Sequence, residues 1–390
     1  MDAINTADIV AFESADGAAA ANEMVERSGV RIFDARRRAR GAATNAPGRF
    51  ERNARMPVRE GIAFGDATEL EELPPFKTEV QVERPRSIIS RNASPDLSFD
   101  RSINPYRGCE HGCVYCYARP SHAYVGLSAG LDFEQKIFAK EGAAEILRRE
   151  LSAKSYEPRT IALGANTDPY QPAEKGRGIT REILEVLDEA NHPVGIVTKS
   201  TLIERDIDIL SRMAERGLVK VAISITTLDP ALSRKLEPRV PLPARRLETI
   251  RRLHEAGIPV SVMVAPIIPG LTDFEVERIL EAAATAGASE AGYVMLRLPR
   301  EVSAIFKDWL LRHAPDRYRH VLSLLRSMRG GKDYDAEFGK RQTGMGPYAW
   351  QIGRRFEIAT RRLKLNVARK SLDTSEFRAP KANGAQLALL

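Results

Sequence analysis

The sequence predicts an α/β fold in which six β/α units form a partial (β/α)6 barrel. From about residue 99 to residue 300, short apolar runs alternate with longer segments whose apolar residues recur every three or four positions. That alternation is typical of strands followed by amphipathic helices. The strand runs are apolar at nearly every position, as in parallel strands that are covered on both faces. Right-handed crossovers would then place the six strands in one parallel sheet.

The predicted elements alternate along the core. The first strand ends at 102–104, and the first long helix is predicted over 133–151. The later strands are predicted at 160–163, 194–198, 219–225, 259–264 and 293–298. The helices between them are predicted at 181–190, 206–215, 244–255 and 274–285. In the helix over 181–190, Ile183, Leu184 and Leu187 form one apolar face.

The composition changes outside the core. Nine arginines and only two acidic residues lie between Arg31 and Arg59, and four prolines interrupt residues 61–98. After residue 300, helices are predicted at 303–311 and 318–328, followed by a glycine-rich basic loop at 338–348. The predicted parts are a mobile leader (1–60), an extended wrap (61–98), the core (99–300), a helical cap (301–367) and a tail (368–390).

Composition limits the class of protein. Hydrophobic residues make up 43% of the chain, and no run of 18 apolar residues is present, so no membrane-spanning helix is predicted. The N-terminus has no signal-peptide pattern, and we therefore expect a cytoplasmic, reducing location. The net charge of +7 is concentrated at the two ends of the chain. Such basic ends either bind the phosphates of a nucleic acid or are simply solvated.

All three cysteines of the chain fall within eight residues, in the spacing C-x3-C-x2-C at Cys109, Cys113 and Cys116. Clustered thiolates indicate an iron–sulfur cluster or zinc, because soft sulfur ligands select these metals. A cubane cluster has four irons, so three cysteines leave one iron open to a small molecule. A zinc site of three cysteines with His111 or His122 is one alternative, and a redox-sensing or solvent-exposed cluster of thiols is another.

The stretch from Asn104 to Arg119, with Tyr115 just before the last cysteine, resembles the cluster loop of the radical S-adenosylmethionine (SAM) superfamily. The likeness extends over about 97–350 and is greatest to the branch of spore photoproduct lyase and its uncharacterised relatives. It implies a TIM-like partial barrel of the radical SAM type. It also implies a [4Fe–4S] cluster on Cys109, Cys113 and Cys116, with SAM bound to the fourth iron.

The resemblance implies a radical SAM enzyme that cleaves SAM reductively to a 5′-deoxyadenosyl radical, which abstracts hydrogen from a substrate that the sequence does not identify. The electron would come from a partner such as flavodoxin or ferredoxin. In this superfamily the chemistry takes place at the carboxyl ends of the strands, as in other barrels of this kind. The sequence gives no indication of the oligomeric state.

The resemblance also assigns expected contacts to SAM. Those residues are Tyr115 beside the adenine, Asn166 and Asp168 near the amino group, Lys199 at the carboxylate, Ser224 and Thr226 at the ribose, and Arg239 as an anion clamp. Met295 to Arg297 would place backbone beside the adenine. Each of these residues also has a simpler interpretation, because polar side chains at strand ends often only cap turns and helices.

Two further hypotheses concern function. One is a DNA repair lyase that acts on photodamaged pyrimidines, but spore photoproduct lyase uses an additional cysteine as hydrogen-atom donor, and this chain has none. A tyrosine such as Tyr117, Tyr124 or Tyr170 would have to replace it. The other is a non-catalytic nucleic-acid-binding protein with a structural zinc or iron–sulfur site. The long β/α repeat favours an enzyme, since a zinc module seldom needs one.

Overall fold

The computed structural model describes residues 39–50, 76–368 and 371–380. It contains ten strands in this part of the chain. In chain order, β1 to β10 are Glu79–Val82, Ile89–Arg91, Arg101–Ile103, Tyr106–Arg107, Lys136–Ala139, Ile161–Leu163, Val194–Thr198, Val219–Ile225, Val260–Ile267 and Glu290–Met295.

Seven of these strands form the main sheet, in the order β10-β9-β8-β7-β6-β3-β2. Six of them are parallel to one another, namely β10, β9, β8, β7, β6 and β3. The strand β2 is antiparallel to β3 at one edge. The strand β10 forms the other edge, so the sheet is open. The six parallel strands of the predicted partial barrel are thereby confirmed.

Helices follow the parallel strands and pack on the sheet through their apolar faces. Within the described residues, α1 to α11 are Leu131–Gln135, Ala143–Leu151, Glu174–Arg177, Ile179–Glu189, Ile207–Glu215, Pro230–Leu236, Pro243–Glu255, Val276–Thr285, Glu301–His313, Tyr318–Ser327 and Gly346–Arg362. The faces of α4 and α7 that carry Ile183, Leu187 and Ile250 are fully buried in one continuous core, because apolar residues spaced three and four apart share one side of a helix.

Four turns that lead from a helix into a strand share one design. The second residue after the helix has a positive φ, and the residue that follows it donates a 6→1 hydrogen bond back to the helix. In the turn before β8, Gly217 has a φ of 67° and Leu218 N–H donates to the carbonyl of Met213 at 2.9 Å. The positive-φ residues of the four turns are Asn191, Gly217, Gly257 and Gly287.

The predicted helix over 133–151 is wrong in its first half. The chain forms α1, then the strand β5, and only then the helix α2. β5 pairs with β1 on one side and β4 on the other, which makes a second, three-stranded sheet. Burial alternates along β5, with Ile137 and Ala139 inside, and Gly142 at a φ of 75° begins α2 afresh. The alternation is the strand signal that the prediction missed.

The cap is more helical than predicted. α9 and α10 confirm the two predicted helices to within a few residues, but α11 lies partly on the predicted glycine-rich loop and continues well beyond it. α6 was not predicted either. Pro347 and Pro230 stand in the first turns of these two helices, where proline is favoured because its missing N–H has no partner there in any case.

The described part of the predicted tail lies against the amino-terminal ends of the strands. Arg378 N–H donates to the carbonyl of Ala190, and Phe377 packs on Tyr156 and His192. No helix among the described residues is long and apolar enough to cross a membrane.

Candidate functional site

The three cysteines lie in the loop after β4, whose path is set by glycine and by backbone hydrogen bonds. Cys109 N–H donates to the carbonyl of Phe133 at 2.9 Å. Gly108 and Gly112 have φ values of 75° and 70°, which a side chain rarely tolerates. The loop can therefore turn twice within five residues, and this turning brings the cysteines together at the carboxyl-terminal end of the sheet.

The cysteine side chains fit an iron–sulfur cluster. All three are free thiols, with Cys109 and Cys113 buried and Cys116 partly exposed. Burial raises the pKa of each thiol, so the free side chains are protonated at neutral pH. Iron ions reverse this preference, because a metal stabilises the thiolate. Three adjacent soft ligands on one glycine-rich loop are the donor set that such a cluster uses.

No group of three or more His, Cys, Asp or Glu side chains in the described ranges surrounds a single metal position. His122 Nε2 lies 3.0 Å from the carbonyl oxygen of Lys136, and His111 is paired with Asp168. One ring nitrogen of each histidine therefore already has a partner other than a thiol.

A buried ion pair between Arg119 and Glu134 holds the cysteine loop in place. Arg119 Nε donates to the carbonyl of Cys113 at 2.9 Å, and its Nη2 contacts Glu134 Oε1 at 2.5 Å. Both side chains are fully buried. Because a charged pair of this kind is stabilising only when its remaining hydrogen bonds are satisfied, the partners of Glu134 matter.

Those partners come from residues 39–45, which we call the brace segment. The backbone N–H groups of Gly41 and Ala42 each donate to Glu134 at 2.8 Å. A Cβ on Gly41 would lie 1.9 Å from the carbonyl oxygen of Gly112, so the two backbones are in direct contact. The brace segment thus fixes the cysteine loop, although the leader as a whole was predicted to be mobile.

Lys199, at the end of β7, joins three neighbouring strand ends. Its Nζ lies 2.9 Å from Ser224 Oγ, 3.0 Å from Thr226 Oγ1 and 3.0 Å from the carbonyl oxygen of Ala265. It also lies 2.9 Å from Glu237 Oε1, and 5.7 Å from the centre of the Tyr115 ring. Four residues that were predicted separately, Tyr115, Lys199, Ser224 and Thr226, therefore form one cluster.

Glu237 is the centre of that cluster and was not predicted. Its carboxylate accepts hydrogen bonds from Tyr115 Oη and, at 2.7 Å, from Thr226 Oγ1, and it pairs with Arg246 at 2.6 Å. Burial raises the pKa of this carboxyl, but the Arg246 and Lys199 charges outweigh burial and hold the pKa well below its usual range. A single carboxylate after a helix has no spacing signal, so the sequence could not single it out.

Asp168 lies on the other side of Lys199. It accepts hydrogen bonds from Thr198 Oγ1 at 2.7 Å and from Lys199 N–H at 2.8 Å, and His111 Nδ1 lies 3.3 Å away. Burial opposes its ionisation, yet His111 and these hydrogen bonds lower the pKa of Asp168 below its ordinary value. The ionised carboxylate therefore connects the cysteine loop, through His111, to the end of β7.

Asn166 and Arg239 lie at the edges of this arrangement. Asn166 N–H donates to Asn104 Oδ1 at 2.8 Å, so its backbone is anchored to the end of β3. Arg239 Nη1 pairs with Glu110 Oε1 at 2.8 Å and reaches Thr78 Oγ1 at 3.3 Å. The charge of Arg239 is therefore matched by a carboxylate in the cysteine loop, and within the described residues its guanidinium does not bond to the Lys199 cluster.

The three tyrosines that were considered as hydrogen donors differ in exposure. Tyr170 is fully buried, whereas Tyr117 is 46% exposed and directly follows Cys116. Tyr124 is more exposed still, and its ring packs against that of Phe50 in a tilted arrangement. Of the nine arginines between 31 and 59, Arg40 lies in the brace segment and Arg49 pairs with Glu301. The other seven lie outside the described residues.

Comparison with known proteins gives a consistent result. The model of the radical SAM superfamily matches residues 103–283, which include the cysteine loop and the Lys199 cluster. An uncharacterized protein of Mycobacterium tuberculosis is 39% identical over 230 residues, 58% of this chain and 68% of that protein. A radical SAM Nα-GlyT isomerase of Pseudomonas phage M6 is 25% identical over 255 residues, 61% of this chain and 48% of that protein.

Among solved structures, spore photoproduct lyase complexed with dinucleoside spore photoproduct is similar with a TM-score of 0.53. The match covers 73% of this chain and 79% of that one, at 15% identity. At this identity the likeness concerns the fold alone.

Proposed function

Because the chain belongs to the radical SAM superfamily, we propose that it is an enzyme that binds a [4Fe–4S] cluster through Cys109, Cys113 and Cys116 and cleaves SAM reductively. Membership implies the cluster and SAM as cofactors. When bound, they supply a 5′-deoxyadenosyl radical for hydrogen abstraction from the substrate. The residues of the chain hold and orient these groups and exclude water, as is general for cofactor enzymes.

One observation carries the proposal. The only three cysteines of the sequence lie in one glycine-turned loop, at the end of the sheet where Lys199 and Asp168 also lie. Catalytic groups of β/α barrels occur at this end. A structural site would not need a buried polar cluster beside it, since buried polar groups cost free energy unless they are satisfied.

We assign the SAM contacts from the same geometry. An ammonium has three N–H donors, but Lys199 Nζ has four acceptors within 3.0 Å. Lys199 would therefore exchange Ser224 or Thr226 for the carboxylate of SAM, which would leave a hydroxyl available to the ribose. Asp168 would accept from the amino group, with Asn166 beside it. Tyr115 would border the adenine.

Arg239 is the weakest of the proposed contacts, because Glu110 already neutralises it. It would act as an anion clamp only if a ligand displaced that carboxylate. The proposed reaction also needs one electron from outside the chain. A flavodoxin or a ferredoxin is the class of partner that would supply it.

Metal analysis tests the proposal. After anaerobic reconstitution we expect about four irons and four sulfides per chain and the broad visible absorption of a thiolate-ligated cluster. Addition of SAM and a reductant should then yield 5′-deoxyadenosine. A chain that takes up one zinc and stays colourless would instead be a structural zinc protein.

Single replacements of Cys109, Cys113 or Cys116 by Ala should each abolish cluster binding and SAM cleavage, because no other cysteine can replace the lost ligand. Ser211→Ala on α5 is the matched control, since the one side-chain hydrogen bond of Ser211 within the described residues goes to the carbonyl of Ala256. Retention of a full cluster and of activity in Cys113→Ala would refute the assignment.

A DNA lyase acting on photodamaged pyrimidines is the second candidate function. The exposed position of Tyr117 beside Cys116 favours it, because this phenol could replace the cysteine donor that the chain lacks. Incubation of the reconstituted enzyme with dinucleoside spore photoproduct tests the idea. Repair by the wild type that is lost in Tyr117→Phe would support it, and no repair by the wild type would remove it.

A further inference from the structure

Arg297 lies just after β10, at the carboxyl-terminal end of the sheet. Its Cζ is 4.5 Å from the centre of the Tyr117 ring, and Tyr117 directly follows Cys116. The hydroxyl of Tyr117 donates to the carbonyl of Ala165, next to Asn166. The guanidinium is therefore held beside the cysteine loop, in contact with the proposed site but on its β10 side.

In the part of the chain that the structure describes, no carboxylate matches the charge of Arg297. No hydrogen bond or ion pair joins its guanidinium to another residue within the described ranges. Its Nε is buried and has no hydrogen-bond partner there. A guanidinium has five N–H donors that fit planar oxyanions, so Arg297 has its donors available for a ligand.

Arg329 brings a second charge behind the first. It is 1% exposed, and its Nη1 and Nη2 donate to the carbonyls of Lys340 at 2.7 Å and Leu296 at 3.0 Å. These carbonyls satisfy hydrogen bonds but carry no net charge. Burial lowers the pKa of Arg329, and the neighbouring charge of Arg297 lowers it further. Asp335 acts on it only from a distance, without an ion pair among the described residues.

The contrast with the other buried arginines is informative. Four arginines rank among the largest fully buried side chains of the described residues. Arg101 pairs with Asp100, Arg119 with Glu134 and Arg246 with Glu237. Arg329 alone of the four has no such partner among the described residues, and its neighbour Arg297 has none among them either. Buried charges in proteins are normally paired. An anion from outside the described residues would therefore balance the charges of Arg297 and Arg329.

We propose that Arg297, backed by Arg329, binds a phosphate-class oxyanion of the substrate beside the cysteine loop. The assignment of this anion to a substrate depends on the proposed function, whereas the binding of an oxyanion at Arg297 does not. The second positive charge, that of Arg329, favours phosphate over a single carboxylate, since phosphate carries more negative charge. The carboxylate of SAM is assigned to Lys199 on β7, three strands away from β10 in the sheet, so the two anions occupy separate positions.

Inorganic phosphate is the probe for the first experiment. We expect phosphate to raise the melting temperature of the reconstituted protein above that in chloride of equal ionic strength, because a ligand that binds only the folded chain stabilises it. Arg297→Gln should lose most of this shift, and Arg297→Lys should keep part of it. Arg361→Gln is the control, since Arg361 is exposed and pairs with Glu357. No shift in the wild type, or an equal shift in Arg297→Gln, would overturn the proposal.

A second measurement separates the substrate from SAM. The expected contact of Arg297 with the adenine is through its backbone, which Arg297→Gln leaves in place, so the affinity of this variant for SAM, measured by equilibrium dialysis, should stay within about twofold of the wild type. A loss of about tenfold or more would assign the anion to the carboxylate of SAM and overturn the substrate assignment. Iron content and 5′-deoxyadenosine formation are measured on the same samples. A wild type without cluster or SAM cleavage would refute the proposed function, whereas the phosphate shift tests the anion site by itself.

Discussion

Glu237 is the residue on which four side chains of the site converge. Tyr115, Thr226, Lys199 and Arg246 all contact its carboxylate, which is fully buried. Removal of one partner from such a network leaves a buried charge without compensation. At the scale of the residue, the site therefore depends most on a side chain that contributes no ligand to the proposed cofactors.

We predict that Glu237→Gln lowers the free energy of unfolding at pH 7 by about 3–5 kcal/mol. The folded-state pKa of Glu237 lies below its ordinary value of 4.5. Its charged form is therefore stabilising above about pH 4.5, and this stabilisation is lost as the pH falls towards the lower folded pKa. The difference between wild type and variant should shrink over that range. Urea unfolding of the cluster-free protein at several pH values measures it.

Glu290→Gln is the control for this experiment, because Glu290 pairs with Lys220 nearer the surface of the same sheet. Partly exposed pairs contribute about 0–1 kcal/mol. An equal effect of the two replacements would contradict the central role of Glu237.

Lys199→Ala should leave the cluster in place and weaken the binding of SAM by about 1.5–3 kcal/mol, the usual contribution of a hydrogen bond to a charged group. Isothermal titration of the reconstituted protein with SAM measures the change. Lys220→Ala removes a lysine of another ion pair on the same sheet and should not alter the affinity. If Lys199→Ala bound SAM as tightly as the wild type, Lys199 would have to be removed from the site.

At the scale of the element, the brace segment and the cysteine loop behave as one unit. Gly41 touches Gly112, and the N–H groups of Gly41 and Ala42 complete the hydrogen bonds of Glu134. Leu131 N–H also donates to the carbonyl of Thr44 at 3.2 Å. A segment distant in sequence thus contributes to the shape of the loop that carries the cysteines.

Gly41→Ala should therefore impair cluster binding without removing any ligand. The new methyl group would lie 1.9 Å from the carbonyl oxygen of Gly112, so the loop must move, at a cost of about 1–3 kcal/mol. Iron content after reconstitution and circular dichroism should show a chain that is folded but poor in cluster. Gly176→Ala is the control, because nothing lies within 4 Å of its added Cβ. Equal iron content in both variants would exclude the brace role.

The sequence was sufficient for the elements whose signal is local. The strands β7 and β8 begin and end where the apolar runs predict, and the spacing of the cysteines locates their loop. β5 was missed because its hydrogen bonds come from β1 and β4, which are distant in sequence. Glu237 was missed for the same reason, since its importance depends on Arg246 and Tyr115 meeting it in space. Periodicity reports burial, but it does not report which distant partner supplies a contact.

At the scale of the whole molecule, some arginines of the basic leader also stabilise the site, so the whole leader cannot be removed without disturbing it. Arg40 Nη1 donates to the carbonyl of Glu134 at 2.5 Å and so belongs to the brace segment. Arg49 likewise pairs with Glu301. A deletion of residues 31–59 would therefore disturb the cysteine loop as well as remove charge, and a test of nucleic-acid binding must keep these two arginines.

If the leader binds nucleic acid, replacement of its other arginines by Gln should flatten the salt dependence of binding while leaving the cluster intact. The slope of the logarithm of the binding constant against the logarithm of the salt concentration should become shallower. The expected change is about 0.9 per phosphate contact removed for duplex DNA, or about 0.7 for a single strand. Fluorescence anisotropy with labelled DNA and RNA across a salt series measures this. The replaced residues are Arg31, Arg36, Arg37, Arg38, Arg52, Arg55 and Arg59.

Arg251 and Arg252, whose charges are matched by Glu248, provide the control replacements, and the slope should not change when they are exchanged for Gln. An absence of salt-dependent binding by the wild type at low ionic strength would end the hypothesis of a nucleic-acid partner.

The four turns at Asn191, Gly217, Gly257 and Gly287 have a consequence for engineering. Each is closed by its own local hydrogen bonds at the end of the sheet opposite the cysteines. In each β/α repeat, the residues that close the turn are therefore largely different from the residues of the proposed site. Libraries that randomise the loops after β9 and β10 should yield a high proportion of soluble variants. If the proposed function is confirmed, the scaffold is a starting point for directed evolution of new radical reactions.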